Sequence, residues 1–273
     1  MKTVPFTLLA LASSLVLTAP LPLCGAAFAD AVVAYNPGAG FATEFGSGLG
    51  YTNTGAALGQ PNRDTAFGAV SPFNPPFSRD EILSLGSNGS VTVRFNTPIH
   101  NDPAHSFGLD FVIYGSAGFV DSDYPNGRTD GSASVFGNNQ GLTRVSVGTG
   151  DGIFYTLNPL LAPLVDGFNP TDGAGTFGLA VNPTLLPGDF ANRSLADIRN
   201  LYAGSAGGAG YDLAWAIDGS GHSVNLSTIS FVRIDVLSGR AEIDGFAVVP
   251  EPSTWALGGL GLALCWGLRR RQS

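Results

Sequence analysis

Apolar and polar residues alternate over short stretches through most of the chain. Residues 90–95 are the clearest case: Val91, Val93 and Phe95 fall on one face and Ser90, Thr92 and Arg94 on the other. A period of two is what a half-buried strand requires. Asn88-Gly89 stands just before them and predicts a hairpin turn. Residues 107–114 are more continuously apolar, as a strand in the core of a sandwich would be. Residues 143–147 and 153–157 flank Gly148-Thr149-Gly150-Asp151-Gly152, a predicted hairpin with a longer loop. Residues 211–217, with Trp215 expected in the core, and residues 229–236 and 242–249 complete the strands. One stretch has the helical period. Leu195, Ile198 and Tyr202 share a face, and Ser194 with Asp197 has the spacing of a capping box. Mainly antiparallel strands and one short helix predict an all-β fold, a jelly-roll-like β-sandwich.

Two longer apolar runs lie at the ends. The first, residues 6–23, follows Lys2 and leads to Ala27-Phe28-Ala29, a small-x-small cleavage site. It predicts a secretory signal peptide over residues 1–29 and a mature N-terminus at Asp30. Cys24 could suggest a lipid attachment, but Leu23 before it is larger than the residue usual there. The second run, residues 255–268, follows Pro250-Glu251-Pro252 and stops at Arg269-Arg270-Arg271. As a helix it would be about 21 Å long at about 1.5 Å per residue, against a hydrocarbon core of about 30 Å. The arginines can snorkel, and the positive-inside bias keeps them cytoplasmic. A plain membrane anchor is one reading of this tail.

The Pro-Glu-Pro motif, apolar segment and basic stop together resemble the PEP-CTERM sorting signal of Gram-negative bacterial exported proteins. The resemblance implies a sorting signal over residues 250–273. It also implies two processing partners, signal peptidase and an exosortase. The chain would pass transiently through the inner membrane before release to the cell surface or extracellular matrix. The body, residues 30–249, is similar to the sandwich domain of many such proteins. The similarity runs through Phe111-Val112-Ile113-Tyr114, Gly207-Gly208-Ala209-Gly210-Tyr211-Asp212, Phe231-Val232-Arg233-Ile234-Asp235 and Ile243-Asp244-Gly245-Phe246. It implies a shape related to carbohydrate-binding modules and no particular activity.

Composition narrows the body's chemistry. Both cysteines, Cys24 and Cys265, lie in the end segments, so the body has no disulfide framework and no thiolate metal site. The 38 glycines are about twice the usual ~7 % and show no fixed period, which excludes collagen and short-repeat solenoids. The chain carries a formal charge of −8. Removing the ends takes away Lys2 and three arginines but only one acid, Glu251, so the exported part is more acidic still. Nucleic acid is excluded as a partner on that ground.

Several constellations invite chemistry. Asp121, Asp123, Asn126 and Asp130 lie in a segment with turn glycines and could offer oxygen ligands to Ca²⁺. The segment lacks a glutamate at the twelfth position and flanking helices, and a solvated polar loop between two strands is the plainer reading. Asp212, Asp235, Glu242 and Asp244 fall in or beside late strands. They could form a cation site or a glycosidase pair, or be held at strand ends with Arg233 and Arg240. His100 and His105, with Asp102 between them, could approach a metal, but a spacing of five matches neither a helix face nor a strand face. A polar loop around Pro103 is the expectation there. Ala203-Gly204-Ser205-Ala206-Gly207 imitates a nucleophile elbow but follows a predicted helix rather than a strand. Phe73 and Phe77, in a proline-rich extended segment, could stack on sugar rings. The functional expectation is a non-enzymatic surface or matrix protein. A carbohydrate-binding module, possible with calcium, is the alternative, and a polysaccharide hydrolase comes third.

Overall fold

The computed structural model describes residues 26–134 and 141–251. Most of the predicted signal peptide, together with Pro252, the apolar segment 255–268 and Arg269, Arg270 and Arg271, lies outside the described residues. Among the described residues no helix is long and apolar enough to cross a membrane.

The strands in chain order are β1 Ala31–Asn36, β2 Asp64–Thr65, β3 Gly68–Ala69, β4 Leu83–Gly86, β5 Ser90–His100, β6 Phe111–Gly115 and β7 Gly118–Asp121. They continue with β8 Thr129–Ser134, β9 Leu142–Gly148, β10 Phe154–Leu157, β11 Ala209–Tyr211, β12 Ala216–Ile217, β13 Thr228–Ser238 and β14 Arg240–Val248. Two sheets dominate. One has the order β1-β5-β13-β9-β10-β12 and the other β11-β6-β14-β4, with antiparallel pairing throughout. The chain passes back and forth between them, as in a jelly-roll sandwich.

The core lies between the sheets. Val91, Val93 and Phe95 of β5, Val145 and Val147 of β9, and Val232 and Ile234 of β13 share one buried cluster with Leu83, Leu85, Phe111, Ile113, Ile243 and Phe246 of the smaller sheet. The smaller sheet is covered on its other face too. Val112, Tyr114 and Ala247 pack there with Leu109, Phe177 and Ala206. Burial on both faces is why β6 reads as an unbroken apolar run. A third cluster joins Phe119 to Phe190, Ile198 and Tyr202 of two short helices, α1 Pro187–Phe190 and α2 Leu195–Tyr202.

Three local expectations are corrected. Asn88-Gly89 does form a turn, with Asn88 at φ 60°, but no hairpin results. The turn carries the chain from β4 in one sheet to β5 in the other. Phe107 belongs to no strand. It sits at φ 61° in a single helical turn, 56 % exposed, and Gly108 beside it is also at positive φ, so extended structure starts only at Phe111. The segment 211–217 is broken in two. Asp212 caps a tight turn by accepting from the Ala214 N–H at 2.7 Å, which moves the chain from β11 to β12 in the other sheet. Trp215, in that turn, is only half buried.

Candidate functional site: the sorting junction and an aromatic groove

Strand β14 runs directly into the sorting segment. Val249 donates its N–H to the Asp110 carbonyl at 2.9 Å, so the chain is pinned one residue before Pro250. The predicted signal cleavage site lies against the same strand. Phe28 bridges Ala247, Ala29 donates to the Phe246 carbonyl at 3.3 Å, and Val248 donates to the Ala27 carbonyl at 2.8 Å. Asp30 pairs with Arg94 at 3.0 Å and accepts from the Asn96 N–H.

Beside this junction Asp102-Pro103-Ala104-His105 forms a β-turn, with the His105 N–H donating to the Asp102 carbonyl at 3.0 Å. Asp at the first place and Pro at the second are what such a turn favours. The turn brings its first and fourth side chains together, which a spacing count along a strand or helix does not reveal. A ring nitrogen of His105 and carboxylate oxygens of Asp102 and Glu251 all lie within 4.8 Å of one another. His100, at the end of β5, is not in this group. Asp110 fixes the imidazole. Its carboxylate is 2.8 Å from His105 Nδ1 and also accepts from the N–H groups of Asp102 and Leu213. A carboxylate facing Nδ1 makes that nitrogen the donor. Nε2 is buried without a hydrogen-bond partner.

The loop of Asp121, Asp123, Asn126 and Asp130 is tied by its own hydrogen bonds. Asp121 accepts from the backbone N–H groups of Asp123, Gly127 and Arg128 at 2.9–3.1 Å, and these bonds hold its carboxyl below the usual range. Asn126 donates to Asp123 at 3.3 Å. Asp130 turns to Ser132, accepting from its N–H and hydroxyl.

Phe73 and Phe77 part company. Phe73 packs against Phe119, ring centroids 6.4 Å apart, at the edge of the helix-bearing cluster. Phe77 stacks on Phe67, itself 81 % exposed, at 5.3 Å and 21°. It also lines a groove of 310 Å³ with Phe45, Tyr51, Ile82, Arg240 and Glu242. Phe45 is fully exposed. Sequence reading missed Phe45 and Tyr51. The available signal was a phenylalanine in the glycine-rich segment 44–50, where no core pattern calls for one.

The late-strand acids are held by the fold. Glu242 accepts from the Ser116 hydroxyl at 2.6 Å and lies 3.9 Å from Arg240. Asp244 accepts from the Asn62 N–H and side-chain amide. Asp235 pairs with Arg233 and Arg144. Ser205 donates to the Leu179 carbonyl, in a loop after α2.

Against known proteins, the model of the PEP-CTERM protein-sorting motif matches residues 248–271. No curated protein matches the chain. The motif begins at the last residue of β14, where the sandwich ends and the chain turns toward its tail. The chain thus carries a PEP-CTERM protein-sorting motif after an all-β body, and the motif implies export, passage through a membrane and processing by an exosortase.

Proposed function

We propose that the sandwich is a non-enzymatic module of the cell surface or extracellular matrix, which holds polysaccharide in the groove between Phe45, Tyr51 and Phe77. The observation that carries this reading is the groove itself. Three aromatic side chains surround a space of 310 Å³ with Arg240 and Glu242 among its lining residues. Phe45 would otherwise leave a large apolar face in water. Aromatic rings stack on the C–H faces of sugars, and a few polar groups beside them fix orientation. The chain's net negative charge disfavours strongly anionic polymers and favours neutral ones.

Affinity electrophoresis through gels containing extracellular polysaccharide tests it. Retardation of the wild type is expected. Phe45→Ala and Tyr51→Ala should each weaken binding roughly tenfold, about 1.4 kcal/mol. Both residues line the surface groove, so the fold should survive their loss. Unretarded migration through every polysaccharide tried, or equal retardation of wild type and both variants, would overturn the reading.

A further inference from the structure

The junction between body and sorting segment carries a constellation that neither sorting nor the groove explains. His105 is 4 % exposed. Its Nδ1 is committed to Asp110, which leaves Nε2 as the nitrogen with a free lone pair, buried and without a hydrogen-bond partner. A buried unpaired polar atom costs about 1–3 kcal/mol. Around the ring stand two carboxylates from distant parts of the chain, Asp102 and Glu251. Asp102 commits Oδ1 to the Ala104 N–H at 2.8 Å. Glu251 is exposed. An imidazole oriented through its other nitrogen by a carboxylate is the arrangement found behind metal-bound histidines.

We propose that Asp102, His105 and Glu251 form a site for a borderline divalent cation of the zinc class, which clamps the Pro-Glu-Pro junction to the sandwich. One nitrogen and two carboxylates, a three-ligand set that leaves the fourth position of a tetrahedron to water, suit zinc chemistry, whereas calcium prefers an all-oxygen shell. Zinc ligands held at about 2.0–2.2 Å sit about 3.4 Å apart in a tetrahedron. The group, within 4.8 Å, needs only a modest closure. Asp102 and His105 are held by the turn and by Asp110, so Glu251, with its exposed side chain, is the ligand with most room to adjust. The body's end of the clamp is already rigid: Asp110, which orients the imidazole through its side chain, also holds the Val249 N–H with its carbonyl. A bound ion would therefore fix the motif's glutamate to the body within two residues of where the sheet ends.

The full chain, purified in detergent and stripped by a chelator, is titrated with Zn²⁺ and with Ca²⁺ in competition with a chromophoric indicator. Binding of one zinc per chain, in preference to calcium, is expected. Glu251→Gln and Asp102→Asn should each weaken it by about tenfold or more. Glu251→Gln alters an exposed side chain and should leave the unfolding transition of the metal-free protein unchanged, which separates loss of the ion from loss of the fold. Amide exchange at Val249 and Glu251 should slow on zinc addition in the wild type and not in Glu251→Gln. Absence of stoichiometric zinc binding would overturn the proposal. Zinc bound as tightly by Glu251→Gln as by the wild type would also overturn it, because the ion would then lie elsewhere.

Discussion

Asp166 shows how a single side chain sets the pH response of the body. It sits at φ 59°, buried, where the chain folds back on β6, and accepts from the Ala117 N–H at 2.7 Å. Burial, with the neighbouring Glu242 carboxylate, pushes its carboxyl up to about 8 despite that donor. Burial likewise pushes Asp244 up to about 7 and raises Glu242. Each of these groups holds its proton more tightly folded than unfolded. Their contribution is complete below about pH 4 and is lost as pH rises toward 7–8, at up to about 1.4 kcal/mol per pH unit for a group charged only in the unfolded chain. Asp121 and Asp130, held below the usual range by hydrogen bonds, act oppositely and lose their contribution as pH falls below about 4. Greatest stability is expected in mild acid, with urea midpoints falling from pH 5 to pH 8. Asp166→Asn keeps the acceptor and tolerates the left-handed backbone, so it should flatten that fall. A midpoint unchanged between pH 5 and pH 8 in the wild type would show that these carboxyls ionise without cost. The part played by Asp166 was not legible in the sequence. An aspartate in a Val-Asp-Gly stretch looks like any turn residue, and its burial comes from the packing of separate segments.

At the scale of elements, legibility followed locality. Helix α2 was readable to the residue because its signals are local. Ser194 accepts from the Asp197 N–H at 3.3 Å and Asp197 reaches back to the Ser194 N–H at 3.1 Å, while Ile198 and Tyr202 are buried. The hairpin of β9 and β10 was readable for the same reason. Asn88-Gly89 was misread because a turn dipeptide specifies a change of direction, not which sheet receives the next strand. The N-terminal residues pose a sharper question. Residues 26–29 add a short partner to β14, with Ala29 buried and its carbonyl accepting from the Gly59 N–H at 2.9 Å. A chain starting at Asp30 loses these bonds. At about 0.5–1.5 kcal/mol per hydrogen bond, it should be less stable than one starting at Ala26 by about 2 kcal/mol. Thermal unfolding of the two forms measures the difference, and mass spectrometry of the exported protein identifies the natural start. Equal stability would mean that the bridge to Ala247 contributes nothing.

At the scale of the molecule, sorting was legible in a way that binding was not. The tail motif is contiguous, whereas the groove draws on residues 42–51, 77–82 and 240–242, and the junction cluster joins Asp102 and His105 to Glu251. Strand β14 links the two levels. It lies between β6 and β4 in the smaller sheet, is buried from Ala241 to Val248, and leads straight into the motif. Processing of the folded chain would therefore act beyond it. Removal of the chain after Glu251 leaves every strand of both sheets in place, so the sandwich should stay folded, with a melting temperature within a few degrees of the full chain. Removal of everything after Asp244 takes away half of the β14 strand, including Phe246 from the core and the pairing of Gly245 to Val248 with β6. Losing a buried phenylalanine alone costs about 3–5 kcal/mol, comparable with the whole stability of many domains, so this shorter chain should not fold. In a host with an active exosortase, the released protein should accordingly end at or beyond Pro250, and in a host without one the chain should keep its tail intact. A released form ending inside β14 would mean that processing precedes folding.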